Sequence, residues 1–244
     1  MLITVDVGNS RIKVAVFEQN TQIELFVFEH KEAQNKIEKI LKKYHNATHS
    51  VISSVGNLNL ETLNYLQIHT KLQIISHESK FPFTNLYTTP KTLGVDRMVV
   101  AAGAVLQYPN QNRLVIDAGT CITYDFIDAK NNYLGGAISP GITIRYKSLN
   151  DYTAKLPLLE INNIQNFIGN STENAIHSGV INGVCHEIQG FISQYSLENE
   201  DLTIILTGGD ADFLAKRLKS TIFANSNFLL KSLNLLSIYL NEND

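Results

Sequence analysis

One motif occurs twice in this chain, and the duplication constrains the fold more than any other feature. Asp6-Val7-Gly8-Asn9-Ser10 and Asp117-Ala118-Gly119-Thr120-Cys121 each end an apolar run and each precede another, with the two acids 111 positions apart in a chain of 244 residues. In the first copy Ile3, Val5 and Val7 share one parity, Gly8-Asn9 is a turn pair, and Ile12, Val14 and Val16 resume the alternation. In the second, residues 114–118 lead into the bend and 122–127 leave it. Two β-hairpins half a chain apart predict an α/β protein of two similar half-domains, 1–111 and 112–244, placing two like loops across a cleft.

Acid, glycine and polar donor in that order suit a phosphate. Glycine lets backbone approach without a side chain in the way. Successive N–H groups at such a bend form an anion-binding nest. Asp6 would repel a phosphate, so its natural task is to hold a hydrated cation beside one. Lys13 offsets phosphate charge. Alone, the first copy reads equally well as a plain turn. The second, with Asp117, Gly119 and Thr120 repeating the pattern, favours a phosphate-binding cleft. Asp125 on the following strand reads as a cation contact or as a solvated strand residue.

Between the hairpins the periodicity predicts a third strand over 22–28, a helix over 31–45, strands at 49–55 and 72–76, and a helix at 59–68 between them. Pro82, Pro90 and Gly94 make 78–94 a loop, and a helix over 95–107 follows. Beyond the second hairpin come a strand at 133–139 and a helix over 171–195. A strand over 202–207 ends in Thr207-Gly208-Gly209-Asp210, then a helix runs to about 219, and the last covers 226–240. Gly208 and Gly209 allow contact with a base or ribose, or simply form a strand-to-helix turn with Asp210 as N-cap. Gly94-Val95-Asp96-Arg97 opens an apolar helix. Asp96 there is a cap or the carboxylate that orients an acceptor hydroxyl.

Composition removes other classes. The formal net charge is −3, and no dense basic stripe is present to grip nucleic acid. Lys36, Lys39, Lys42 and Lys43 read as the solvated face of a helix whose other face carries Ile37, Ile40 and Leu41. Two cysteines, Cys121 and Cys185, are too few for a disulfide framework and suit a reducing cytoplasm. Asp6 interrupts the first apolar run, unlike a signal peptide, and no run is long enough to span a bilayer.

In this order and spacing the motifs resemble the type III pantothenate kinases: Asp6-x-Gly8-Asn9-Ser10-x-x-Lys13, Gly94-x-Asp96-Arg97, Asp117-x-Gly119-Thr120, Gly135-Gly136-x-Ile138-x-Pro140-Gly141 and Thr207-Gly208-Gly209. The likeness runs from residue 2 to about 219. It implies an actin-like (ribonuclease H-like) fold and ATP-dependent phosphorylation of pantothenate to 4′-phosphopantothenate, the first step towards coenzyme A. It implies Asp6, Val7, Gly8, Asn9, Ser10, Arg11 and Lys13 as the first phosphate loop, Gly119 and Thr120 as the second, and Gly208 and Gly209 on the nucleotide side. Asp96 is implied as the base. Tyr87, Gly94, Val95, Asp96, Arg97 and Thr172 are implied as substrate contacts. Magnesium near Asp6, a monovalent cation (potassium or ammonium) at Asp117, and a homodimer are implied as well. Ser10 and Cys121 depart from the family's usual threonine and alanine. Two other readings stand beside this one: a kinase or phosphatase acting on another small substrate, and a nucleotide-binding regulator that has lost catalysis. Tyr87 with the Gly94–Arg97 motif argues against the first, and the retained acids Asp6, Asp96 and Asp117 against the second.

Overall fold

The computed structural model describes residues 1–53, 58–162 and 166–243. The chain divides into two compact units, and the division is not a single cut. Met1–Pro109, Asn131–Tyr133 and Asn227–Asp244 form the first, and Asn110–Lys130 with Leu134–Ser226 form the second. The sequential halves 1–111 and 112–244 differ from this at the carboxy end, because the closing helix buries its apolar face in the first unit.

In the first unit, β1 (Leu2–Val7), β2 (Ile12–Glu18) and β3 (Thr21–Phe28) form an antiparallel meander, followed by α1 (Ala33–Lys43), β4 (His49–Ile52), α2 (Leu60–His69) and β5 (Lys71–Ile74). The sheet order is β3-β2-β1-β4-β5, with β4 and β5 parallel to β1. A single turn of 3-10 helix at His30–Glu32 precedes α1, which starts two residues later than the periodicity suggests. The proposed strand at 49–55 is confirmed to Ile52, and residues 54 and 55 lie outside the described part.

Strand alternation decides what each face meets. Ile3, Val5, Val7, Ile12, Val14 and Val16 pack on α1 and α2 through Ile37, Ile40, Leu41 and Leu66. The opposite face carries Ala15, Phe17 and Val51. The segment read as loop holds the two-residue β6 (Thr84–Asn85) and a 3-10 turn, Pro90–Thr92, before α3 (Val95–Gln107). β6 pairs in parallel with Asn132 and Tyr133. α3 buries every residue from Arg97 to Val105.

In the second unit, β7 (Asn112–Ala118), β8 (Cys121–Ile127) and β9 (Asn132–Pro140) repeat the opening, followed by α4 (Ile142–Asp151), α5 (Thr172–Glu198), β10 (Leu202–Thr207), α6 (Ala211–Ala215) and β11 (Phe223–Ala224). α7 (Phe228–Glu242) then returns to the first unit, where Leu230, Leu233, Leu236 and Leu240 join Val99 and Ala102 of α3 beneath Ala15 and Phe17. Inside its edge strand β6, the second sheet runs β9-β8-β7-β10-β11, with β10 parallel to β7 and β11 parallel to β10. That is the order of the first sheet, so the duplication seen in two short motifs extends to whole topology. Its core sets Leu114, Ile116, Ile122 and Tyr124 against Val180, Ile181, Val184 and Ile188 of α5. α5 starts where Ser171 accepts a hydrogen bond from the Asn174 amide at 3.2 Å. α4 and β11 were not anticipated, and α6 stops at Ala215 rather than near 219.

Candidate active site

In the first unit, Asp6 and Lys13 face each other directly across β1 and β2. A directly opposed pair projects to the same face of the sheet. By parity that is the face of Ala15 and Phe17, on which α3 packs. Asp96 lies in the first turn of α3, at the helix end that favours a carboxylate. The electrostatics reflect this grouping. Burial raises Asp6 from 3.8 to about 6, Lys13 opposes the rise, and the negative charge of Asp96 adds to it.

Asp96 itself is exposed, and its Oδ1 accepts from the Arg97 amide at 2.9 Å. The N-cap is Gly94, so Asp96 does not cap α3. A Cβ at Gly94 would sit 2.3 Å from that same Oδ1. Glycine therefore leaves the space in which the carboxylate lies. Arg97 is 7% exposed, and its guanidinium stands over the Tyr87 ring at 5.9 Å. Tyr87 meets Tyr133 edge-on at 6.2 Å. Asp96, Arg97 and Tyr87 thus share one neighbourhood, although Tyr87 and Asp96 stand nine positions apart in sequence.

The loop Gly8–Arg11 closes β1 onto β2, with the Gly8 amide donating to the Arg11 carbonyl at 3.1 Å. Asn9, Ser10 and Arg11 are exposed. His30 donates Nε2–H to the Gly8 carbonyl at 2.9 Å, and His77 does the same to the Leu93 carbonyl, one residue before Gly94, at 2.8 Å. Sequence reasoning missed both histidines. Each is a lone imidazole outside any motif, bonded to a carbonyl many positions away.

In the second unit the Gly119 amide donates to the Cys121 carbonyl at 2.9 Å. Its hairpin is one residue shorter. Four residues separate the last pair Val7–Ile12, and three separate Ala118–Ile122. Cys121 therefore matches Arg11 rather than Ser10, and the position opposite Asp117 holds Thr123 where the first copy has Lys13. The second loop lacks the first loop's cation, a difference the motif alignment does not reveal.

Gly208 has φ +97, and a Cβ there would lie 2.3 Å from the Ala118 carbonyl and 2.5 Å from Asp117 Oδ1. The glycine is required both for its backbone conformation and for contact with the second loop. Asp210 follows, its amide donating to the Ala118 carbonyl at 3.0 Å. It occupies the N-cap of α6 without making a side-chain cap, and burial raises its carboxyl above the ordinary range. Asp125 is fully buried and accepts from Thr123 at 3.1 Å, whereas Asp117 is partly accessible. Thr172 is exposed at the start of α5. His177 is buried against Tyr146, 2.7 Å from its hydroxyl, and His186 is exposed. Among the described residues no three or more His, Cys, Asp or Glu side chains cluster as a metal site.

A twice-used sheet order with an acid-glycine hairpin in each copy defines an actin-like α/β protein. Solved structures share this fold. A proposed Baf-family transcriptional activator from Campylobacter jejuni superposes with a TM-score of 0.61 at 22% identity, covering 99% of this chain and 100% of that one. Lmo2764 of Listeria monocytogenes, proposed to be an N-acetylmannosamine kinase, gives 0.54 at 15% identity, covering 100% and 99%. Sequence narrows the class. The profile of type III pantothenate kinase matches residues 2–194. A type III pantothenate kinase of Flavobacterium johnsoniae is 57% identical over 244 residues, all of both chains. The chain belongs to the type III pantothenate kinase family.

Proposed function

We propose that this chain transfers the γ-phosphoryl group of ATP to the primary hydroxyl of pantothenate, giving 4′-phosphopantothenate and ADP, the first step of coenzyme A biosynthesis. The observation that carries this reading is 57% identity over the full length to a type III pantothenate kinase, with Asp6, Lys13 and Asp96 brought to one face of the first unit.

In this reading Asn9, Ser10 and Arg11 present backbone and side-chain donors to phosphate oxygens, Gly8 leaves room for their approach, and Lys13 offsets their charge. Thr120 is the donor of the second loop, where Gly119 leaves the room, and Gly208 and Gly209 lie against the nucleoside. Asp96 holds the pantothenate hydroxyl and takes its proton as the new O–P bond forms and the bond from phosphorus to the ADP oxygen breaks. Its exposure leaves room for a substrate hydroxyl. Tyr87, Arg97 and Thr172 bind the remainder of pantothenate, Arg97 through the substrate carboxylate.

Magnesium fits the donor set. The ion keeps most of its waters and takes one or two carboxylates besides the phosphates. Asp6, a half-buried carboxylate whose ionisation desolvation disfavours, is the side chain that a nearby cation would most help. The ion supplies neutralisation of phosphate charge. Asp117, partly accessible, suits a monovalent cation better than Asp125, which is fully buried. The chain acts in the cytoplasm as a homodimer. Phe167 and Ile168, 69% and 81% exposed, are apolar surface that a second copy would cover. No helix among the described residues is long and apolar enough to cross a membrane.

Purified protein with magnesium, ATP and pantothenate, once in potassium and once in sodium, tests the reading by mass spectrometry. Phosphopantothenate should form in potassium and fall away in sodium. Folded protein that binds ATP yet yields no product in either buffer contradicts the assignment.

A further inference from the structure

Glu187, midway along α5, belongs to none of the motifs, yet it gathers three donors. Its Oε1 accepts from the Tyr124 hydroxyl at 3.0 Å and from Ser139 Oγ at 2.5 Å. Its Oε2 accepts from Arg145 at 2.6 Å. Arg145 turns its Nε to the Pro140 carbonyl at 2.8 Å. One carboxylate on α5 therefore ties together β8, the end of β9 and the first turns of α4.

The tied segment is Ser139-Pro140-Gly141, and it lies on the second hairpin loop. The Gly141 amide donates to the Thr120 carbonyl at 3.0 Å. A Cβ at Gly141 would stand 2.2 Å from the Gly119 carbonyl and 2.4 Å from that of Thr120. Backbone touches backbone with no side chain between. Any shift of 139–141 is passed to the loop at 119–120.

The ion pair is three-quarters buried, with side-chain exposures of 22% for Arg145 and 26% for Glu187. Burial would raise Glu187, but the bonds from Ser139, Arg145 and Tyr124 outweigh it and hold the carboxyl below its ordinary range. Glu187 thus stays ionised and committed to these partners. A buried carboxylate with three donors fixes geometry more firmly than an exposed pair does.

We propose that Glu187 is a positioning residue for nucleotide binding, acting through Ser139, Arg145 and the backbone of Pro140 and Gly141 to hold the Gly119-Thr120 loop in its phosphate-binding form. This rests on the second loop's proposed role and deepens it.

Glu187→Gln keeps an acceptor for Tyr124 and Ser139 but gives up the charge that holds Arg145. Titration calorimetry with the non-hydrolysable analogue AMP-PNP should show affinity about tenfold weaker. In turnover, KM for ATP should rise about tenfold and KM for pantothenate should stay within about twofold. Combining Glu187→Gln with Arg145→Met should weaken nucleotide binding no more than the worse single change. A purely structural role would lower the melting temperature and leave the AMP-PNP affinity of the folded variant at the wild-type value, and that result overturns the proposal. If Glu187→Gln does not fold, Ser139→Ala serves, with a rise of about threefold expected and unchanged affinity contradicting it. Wild-type protein that binds AMP-PNP but, given ATP and magnesium, leaves pantothenate unmodified would sink the pantothenate reading alone. Wild-type protein that binds no nucleotide would sink both.

Discussion

Two carboxylates with opposite surroundings carry the residue-scale account. Asp6 is half-buried and desolvated whereas Asp96 is exposed, so they answer differently to substitution. With Asp6 raised to about 6 against 3.8, the folded protein holds a proton there that the unfolded chain has lost between those values. Stability from this group is complete below about pH 4 and declines as pH rises to about 6, which costs about 3 kcal/mol at neutrality. Asp6→Asn removes the desolvated charge. It should raise the neutral-pH melting temperature of the nucleotide-free protein and flatten its dependence between pH 4 and 6, while turnover collapses. Calorimetric melting across that range checks the first part and a product assay the second. Asp96→Asn should lower kcat about a hundredfold or more and leave the melting temperature unchanged. Wild-type turnover in a folded Asp96→Asn variant would remove its role. Both acids were legible in the sequence because each sits in a glycine-containing motif. Their grouping on one face was not, since it depends on which face of β1 receives α3. His30 and His77 were illegible for a related reason: each bonds a carbonyl 22 or 16 positions away, and no local pattern encodes that.

At the scale of elements, glycines report where backbone meets backbone. Gly103 lies inside α3, where a glycine ordinarily weakens a helix. Here a Cβ would stand 1.9 Å from Ser232 Oγ and 2.9 Å from Ser232 Cα of α7. The residue is kept for the close approach of two helices. Gly103→Ala should destabilise the protein by roughly 1–3 kcal/mol despite alanine's better helix propensity, as read by urea denaturation. Gly141→Ala should act on function as well as stability, raising KM for ATP in the folded variant by displacing the Gly119-Thr120 loop. The long apolar helices and both hairpins were readable from periodicity. α4 escaped because Ile142, Ile144 and Tyr146 alternate with polar residues at a strand's period, which hides the helical one. β11 escaped because two residues at a sheet edge have no period to detect. The one-residue difference between the hairpins shows how far a motif match can mislead. Aligned by sequence, Cys121 stands with Ser10, but the backbone hydrogen bonds place it with Arg11.

For the molecule as a whole, the closing helix matters most. A reading in sequential halves counts it with the second unit, yet Phe228, Leu230, Leu233, Leu236 and Leu240 are all buried, and α7 packs with the first. At about 2 kcal/mol for each buried side chain, these five contribute roughly 10 kcal/mol, comparable with the net stability of a domain. A chain ending at Ser226 should therefore lose the cooperative unfolding of the first unit, seen as a broadened or absent transition by circular dichroism. The repeated sheet order was legible as an idea, because two matching motifs imply two matching halves. The return of the last helix was not, because an amphipathic helix does not announce which sheet it will cover. The fold is shared with a protein proposed to be a sugar kinase, so the fold alone does not select an acceptor. The central claim is therefore acceptor identity, and the most direct test is kcat/KM with ATP for pantothenate beside N-acetylmannosamine and glucose under the same conditions. Pantothenate should be phosphorylated, with both sugars at background. Turnover of either sugar exceeding that of pantothenate would contradict it.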